Sequence, residues 1–482
     1  MAYRTLGVSL LIRSARGRVQ GLCVALSALL VSAAAQGGND DEVLIGTEAI
    51  LTGGAVTATV QDGSSLWYNP AGLGGVDRQK VDVTGTAYTF RLWVIPEYLE
   101  APTGKTSSAN TYEALTIPSA ITFSSKLDNG WVIGMGYFLS RWSDIRGHSE
   151  LSFDDEGEPA VWQSGYVQTY SLHNVALGTG LQLTPQVRLG AALIGFYNGV
   201  TFARELSGGI TNSPESDFLT GTVHGLHSHA GLQLQAGVQW SPLDDLSFGF
   251  SIKSAGLGIY NYYERQGYLS GSFDVTDVPG VPSDTPVPRP SVYQPSNAAQ
   301  TDWSATWVLP PRFRLGVAHR LGRSYWSFDI DVQTAVKSKI VTLDDEDFQA
   351  ANRSAVFNAR LGGKLAINDL WAVGAGIFTD RSATSELALG EGSFDYYGGA
   401  FGVELGNVHR LASTEESKSI RFSTSMGVRY ALGIGRVTAT EVPHFNDLIA
   451  AFANGQGADF QETRVPAWAH ELTFNLGGGL YF

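Results

Sequence analysis

The sequence predicts an all-β protein: a transmembrane antiparallel β-barrel of about 14 strands with an N-terminal plug inside its lumen. Three observations lead there. The chain's last stretch alternates: Leu472, Phe474, Leu476, Leu480 and Phe482 share one strand face, and Glu471, Thr473, Asn475, Gly477 and Gly479 the other. An apolar face ending in an aromatic suits a strand with lipid on one side and a polar lumen on the other. The same alternation recurs along the chain, and the connections alternate between short turns and long loops. A soluble sandwich also alternates, but it does not sort its loops by length onto two ends.

The strands are expected near 79–91, 117–126, 131–143, 163–182, 186–204, 222–240, 244–263, 303–321, 324–334, 353–366, 370–381, 392–405, 418–433 and 468–482. In the 222–240 strand, Leu232, Leu234 and Val238 oppose Gln233, Gln235 and Gln239. Phe248, Phe250 and Ile252 then oppose Ser247, Ser251 and Lys253, and Phe328 and Ile330 oppose Asp329 and Asp331. Phe357, Ala359 and Leu361 oppose Asn358 and Arg360, and Phe422, Met426 and Val428 oppose Ser423, Ser425 and Arg429. Short turns fall at 127–130, 183–186, 241–245, 321–324 and 367–369. Long loops are expected at about 92–116, 144–162, 205–221, 264–302, 335–352 and 434–467. The 406–417 turn is longer than this rule allows, and 382–391 is shorter than the other outer loops. An even count brings both chain ends to one side, and closure removes every sheet edge.

Residues 1–35 read as a secretory signal. Arg4, Arg13, Arg16 and Arg18 precede the apolar run Gly21 to Val31, and Ala33-Ala34-Ala35 offers a cleavage site before Gln36. That run is too short for a transmembrane helix, which needs about 20 apolar residues. The one cysteine, Cys23, lies within it, so the exported chain is expected to carry no disulfide. Loss of the four arginines takes the formal charge from −14 to −18. A chain this acidic does not bind nucleic acid by neutralising phosphates.

Residues 36–78 precede the first strand of the 79–482 barrel. A barrel this wide needs filling, so the segment is expected to be a plug in the lumen, with a periplasmic extension as the other reading. Residues 45–73 read IGTEAILTGGAVTATVQDGSSLWYNPAGL. Pro70 fixes its own φ and pushes Asn69 into an extended conformation. Asn69 holds a turn through local backbone hydrogen bonds, and Gly72 permits a crowded backbone.

The run of Gly53, Gly54 and Ala55, then Asp62, then Tyr68, Asn69, Pro70, Ala71, Gly72 and Leu73 resembles the start of the FadL/TodX family. Those are outer-membrane transporters of long-chain fatty acids and other hydrophobic compounds. Leu309 to Leu321 and Trp371 to Asp380 are similar to two further family segments. The resemblance implies an outer-membrane barrel that moves apolar cargo by passive, ligand-gated diffusion. It also implies a sideways exit through the wall, and a plug motif at Asp62, Tyr68, Asn69, Pro70, Ala71 and Gly72. Long-chain fatty acids are the first expectation. Aromatic hydrocarbons, or a non-transporting barrel that anchors or escorts surface proteins, are the alternatives.

No catalytic signature is present: there is no G-x-S-x-G, no H-E-x-x-H and no P-loop. His224, His227 and His229 cluster on one strand, and His227 and His229 share a face as metal ligands do, but they read as polar rim. No metal, cofactor or enzymatic activity is expected. Alternation turns Arg312, Arg314, Arg360 and Lys364 inward. They form either a structural ion network or a site for a substrate carboxylate, which Arg pairs with bidentately. Tyr268 and Phe273, in the aromatic loop between the seventh and eighth strands, are candidates for an outer apolar groove. The expected partners are outer-membrane lipid, a hydrophobic small molecule and, through the strand ending in Phe482, the barrel-assembly machinery. The chain is expected to be a monomer.

Overall fold

The computed structural model describes residues 43–211, 218–272, 298–303, 306–337, 352–383, 392–409, 420–445, 447 and 461–481. The signal sequence, residues 36–42, Phe273 and Phe482 lie outside them. Two short helices come first, α1 (Thr47–Thr52) and α2 (Ser65–Tyr68), then a 3-10 helix (Pro70–Gly75). The strands follow: β1 (Lys80–Glu100), β2 (Thr106–Lys126), β3 (Trp131–Asp155), β4 (Glu158–Gln182), β5 (Val187–Ile210) and β6 (Phe218–Leu243). Next are β7 (Leu246–Lys253), β8 (Gly256–Ser272), β9 (Ala298–Asp302), β10 (Thr306–Leu309), β11 (Arg312–Leu321) and β12 (Ser324–Gln333). Last come β13 (Val336–Lys337), β14 (Asn352–Arg353), β15 (Val356–Ala366), β16 (Trp371–Asp380), β17 (Gly392–His409), β18 (Ile420–Glu441) and β19 (Gln461–Tyr481).

The sheet closes on itself. Strand β1 pairs with β2 on one edge and antiparallel with β19 on the other, from Lys80 opposite Tyr481 to Val94 opposite Trp468. Both ends of the wall therefore meet at one rim, called here the near rim. The short turns at 127–130 and 183–186 share it.

The expected count of about fourteen is corrected among the described residues to fifteen wall strands: β1–β8, β11, β12 and β15–β19. The stretch expected as one strand at 244–263 breaks at Ser254-Ala255. Strand β6 pairs with β7 over its near-rim third and with β8 beyond. Strand 303–321 is also interrupted, because Pro310 and Pro311 have no N–H to give the ladder. Both halves of the broken strand run antiparallel to β6, so the two chain ends stay on one rim.

Several strands outrun their expected ends. Strands β3 and β4 are each 25 residues long, whereas about 9–11 residues cross a bilayer. The loops expected at 92–116 and 144–162 are mostly strand, joined by residues 101–105 and by the tight turn Glu156-Gly157. Glu156 (φ 58°) is the one non-glycine with positive φ among the described residues, and Gly157 (φ 98°) follows it, the pair of positive φ values that a two-residue hairpin favours. The alternation misleads here because the faces exchange roles. Near the turns, Trp131, Ile133 and Met135 of β3 are exposed. A bulge between Leu139 and Arg141 re-phases the strand. Beyond it, Ile145, Leu151 and Phe153 are buried while Arg146, His148, Glu150 and Asp154 face out. The near part is thus apolar outside, as lipid requires, and the far part is apolar inside, as water requires.

The closing strand follows the alternation read from its sequence. Phe474, Leu476 and Leu480 are exposed, while Glu471, Thr473 and Asn475 are buried at 2–3%.

Candidate functional site

The inner face of the wall carries three layers. The lowest holds residues 43–76, whose Ile45, Ile50, Val56, Val60, Leu66 and Leu73 are buried, in one cluster with wall residues Ala120, Phe138, Ala176, Ala192 and Ile194. Helix α1 ends on Gly53, left-handed at φ 63°, and the next amide bonds back to Ala49 O at 3.0 Å. Asn69 is extended (φ −154°, ψ 103°), as a residue before proline must be. Its Oδ1 accepts from Ala71 N at 3.2 Å, and its Nδ2 donates to Thr57 O at 2.9 Å and to Val238 O on β6 at 3.1 Å. Asn69 therefore ties its own segment together and to the wall. Tyr68 Oη accepts from Ile45 N at 3.2 Å. Asp62 accepts from Ser64 N at 2.9 Å and lies 3.7 Å from Lys80 Nζ. A Cβ on Gly72 would stand 2.2 Å from Val60 O.

The wall reaches this segment through polar side chains on its inner face. Gln235 Nε2 donates to Trp67 O and Tyr68 O at 3.3 and 3.2 Å, and Gln239 Nε2 to Val60 O at 3.0 Å. Asp329 Oδ2 accepts from Val56 N and Thr57 N, both at 2.8 Å. Where no side chain reaches, wall glycines let the two backbones touch. Among these are Gly190 against Pro70 and Gly249 against Thr57.

The four bases singled out as ligand candidates all lie in this layer. Arg312, Arg314 and Arg360 converge on Asp331, with Nε of Arg312 and Arg314 at 2.7 and 3.0 Å and Nη1 of Arg360 at 3.4 Å. Arg314 also donates to Trp67 O at 2.9 Å. Lys364 Nζ lies 3.0 Å from Glu48 of α1 and 2.5 Å from Glu404. Geometrically, the four form an ion network bracing segment to wall. Tyr268 lies on β8 opposite Thr222.

Above comes a charged layer that sequence reading did not single out. Arg91 Nη1 is 2.8 Å from Glu113, Arg91 Nη2 is 2.8 Å from Glu471, and Arg429 pairs with Glu471. Alternation alone turns Arg91, Arg429 and Glu471 inward; Glu113 falls in the stretch expected as a loop, and the partnership of the four needs the strand register. Beyond this layer the interior is mostly apolar, with Arg204 buried among it: Trp93, Ile95, Tyr98, Leu151, Phe153, Trp162, Tyr166, Phe202, Phe394 and Val437 form one buried cluster. At the far rim β1 leaves β19, and Leu99 and Glu100 pair in parallel with Thr440 and Glu441 of β18.

Phe445, fully buried, packs on Trp162 with ring centroids 5.9 Å apart. Asp155 holds it, accepting from Phe445 N at 2.7 Å and pairing with His444 at 2.5 Å. That hydrogen bond raises the pKa of His444, helped by the charges of Asp155, Glu156 and Asp447 and opposed by slight burial. The sign follows: the pair contributes fully below the ordinary histidine value of about 6.5 and is lost as pH rises through the raised value. An NMR titration of His444 should give a midpoint above 6.5 that Asp155→Asn returns to the ordinary range; identical midpoints would show that the pair does not form in solution.

An open hollow lies in the wall beside the Ser254 break. It has a volume of about 670 Å³ and is lined by Leu177, Leu193, Leu234 and Ile252, with Gly178, Ala191, Ala192, Gln235, Ala236 and Ser254. The first four belong to the exposed apolar face. Ser254 takes over the missing ladder bonds, donating its N–H to Leu234 O at 2.8 Å and accepting from Leu234 N at Oγ, 2.9 Å. The lining is mostly apolar where the wall is least continuous.

No family model matches the sequence, and no curated protein matches it. Solved structures do share the fold. A FadL homologue of Pseudomonas aeruginosa superposes with a TM-score of 0.55 at 12% identity, over 92% of this chain and 98% of that one. The toluene transporter TodX of Pseudomonas putida gives 0.52 at 13% identity, over 92% and 99%. The toluene transporter TbuX of Ralstonia pickettii gives 0.52 at 11% identity, over 92% and 99%. The fold expected from the FadL/TodX resemblance is the fold found. It is shared here with a FadL homologue and two toluene transporters.

Proposed function

We propose that the chain is an outer-membrane protein through which hydrophobic compounds diffuse without energy input, with residues 36–78 acting as a plug. The near rim would face the periplasm and the polar-sided far rim the outside. Cargo would enter among the apolar side chains of the far half, pass when the plug shifts, and leave sideways at the Ser254 hollow. That hollow is the observation that carries the reading, because it joins an apolar outer face to a break in the wall. A water-filled pore has no use for such a hollow, and a pure anchor has no use for an apolar interior.

A specific observation favours uncharged cargo, such as aromatic hydrocarbons, over long-chain fatty acids. Arg91, Arg312, Arg314, Arg360, Lys80, Lys364 and Arg429 are each already paired with a carboxylate. A fatty acid carboxylate meeting any of these seven bases would have to displace its partner, whereas a neutral hydrocarbon displaces none. Native mass spectrometry of gently purified protein should find a retained uncharged apolar molecule. A retained fatty acid that is lost on Arg314→Met would restore the carboxylate reading. Asn69→Ala with Pro70→Ala should lower uptake of toluene by cells while heat-modifiable barrel mobility on gels persists, since the wall keeps its own ladder. Unchanged uptake would reduce the motif to filler.

A further inference from the structure

His227 and His229 are not at a polar rim. They point inward from β6, 5% and 2% exposed, with ring centroids 5.5 Å apart, while His224 faces out. Their surroundings mix aromatic, apolar and polar groups: buried Asn261 lies opposite His229 on β8, and the charge of buried Arg353 is close enough to act on His229. Phe196 stands edge-on to His229 at 6.0 Å, Tyr263 lies 6.2 Å from His227, and Val200 is opposite His227 on β5. Phe196 and Val200 belong to a buried cluster with Tyr170, Leu172 and Leu309. Within this stretch lies the fully buried Asn198, opposite His229, with its Nδ2 3.4 Å from His229 Nε2. On these side chains, His227 Nδ1, His229 Nδ1 and Asn198 Oδ1 have no hydrogen-bond partner among the described residues. Buried polar atoms are nearly always paired, and leaving them unpaired is costly.

The Asn198–His229 contact fixes what is left over. If Asn198 donates, His229 Nε2 accepts, so the ring proton sits on Nδ1 as a spare donor and Asn198 Oδ1 is a spare acceptor. Turning the amide over exchanges the roles and again leaves one donor and one acceptor. A hydroxyl group supplies both complements at once. A hydrocarbon supplies neither, and a carboxylate supplies acceptors only.

We propose that Asn198 and His229, with His227 beside them, form a subsite that selects apolar molecules bearing a hydroxyl, phenols or alcohols, over the bare hydrocarbon of the same skeleton. This rests on the transport reading and names its cargo more narrowly. The probes are toluene and p-cresol, which differ by one hydroxyl, titrated calorimetrically into the purified full-length barrel in detergent. In Asn198→Leu and in His229→Phe the ratio of p-cresol to toluene affinity should fall about tenfold, the effect of losing one buried hydrogen bond. His229→Gln, which keeps a donor and an acceptor, should recover part of it. An exposed outer-face change, Gln163→Ala, should leave the ratio alone. A ratio unmoved by either substitution, including one unmoved because both affinities fall together in a disrupted barrel, overturns the subsite while toluene binding by the parent keeps the transport reading. A preference abolished by EDTA would make the imidazoles metal ligands and overturn it too. A parent that binds neither compound removes the transport reading and the subsite with it.

Discussion

Asp331→Ala should lower the stability of the barrel interior by about 3–5 kcal/mol, the cost of stripping the partner from buried charges. Three guanidinium groups share that one carboxylate, and Arg312, Arg314 and Arg360 are 3–6% exposed. Removing it leaves like charges facing each other where water cannot screen them. Arg314 also holds Trp67 O, so the loss should spread to the N-terminal segment. The check is the temperature at which the compact band on a gel gives way to the unfolded one, which should fall clearly. A surface pair provides the contrast: Arg323 and Asp369, at the near rim, have side chains 62% and 99% exposed. Asp369→Ala should change stability by no more than about 1 kcal/mol. Equal effects from the two substitutions would contradict the brace.

Gly249→Val should dislodge the N-terminal segment while leaving the wall closed. A Cβ at Gly249 would stand 2.2 Å from Thr57 O and 2.7 Å from Ala58 N. Both sides of that contact are backbone, one held by the strand ladder and the other by Asp329, so neither can give way cheaply. The flanking Phe248 and Phe250 keep facing out. Limited chymotrypsin digestion should then cleave far faster at Leu66, Trp67 or Tyr68, all buried in the parent, with normal barrel mobility. Gly165→Val is the control, since a Cβ there meets nothing within 4 Å. Parent-like resistance of Gly249→Val would mean the segment does not depend on this close approach.

The wall was legible where lipid dictates the pattern. Leu234 exposed beside Gln235 buried, or Phe474 beside Asn475, is what a period of two requires of a strand between lipid and a polar interior. Past the bulge at Leu139 the rule inverts, and Ile145 and Phe153 point in because the outer face now meets water. A reading that looks for one kind of face takes that inversion for a loop. The break at Ser254-Ala255 was missed because nothing local marks it: its cause lies in the neighbouring strands, which trade β7 for β8. Inward charges could be identified singly, but not who pairs with whom. That Arg91 meets Glu113 and Glu471 depends on the β1–β2 and β1–β19 registers, between positions 22 and 380 residues apart. Asn69 was found because proline and asparagine constrain backbone locally. Phe445 was not, because a single aromatic in a long connection has no period.

In the proposed function, a wide barrel is kept shut by its own N-terminal segment, so that apolar cargo passes and ions do not. Planar-bilayer conductance tests it most directly. The full-length protein should insert and pass almost no ionic current, and the same chain lacking residues 43–78 should pass a large, steady current. A large steady current from the full-length protein, or none from the shortened one despite normal barrel mobility, would contradict the account.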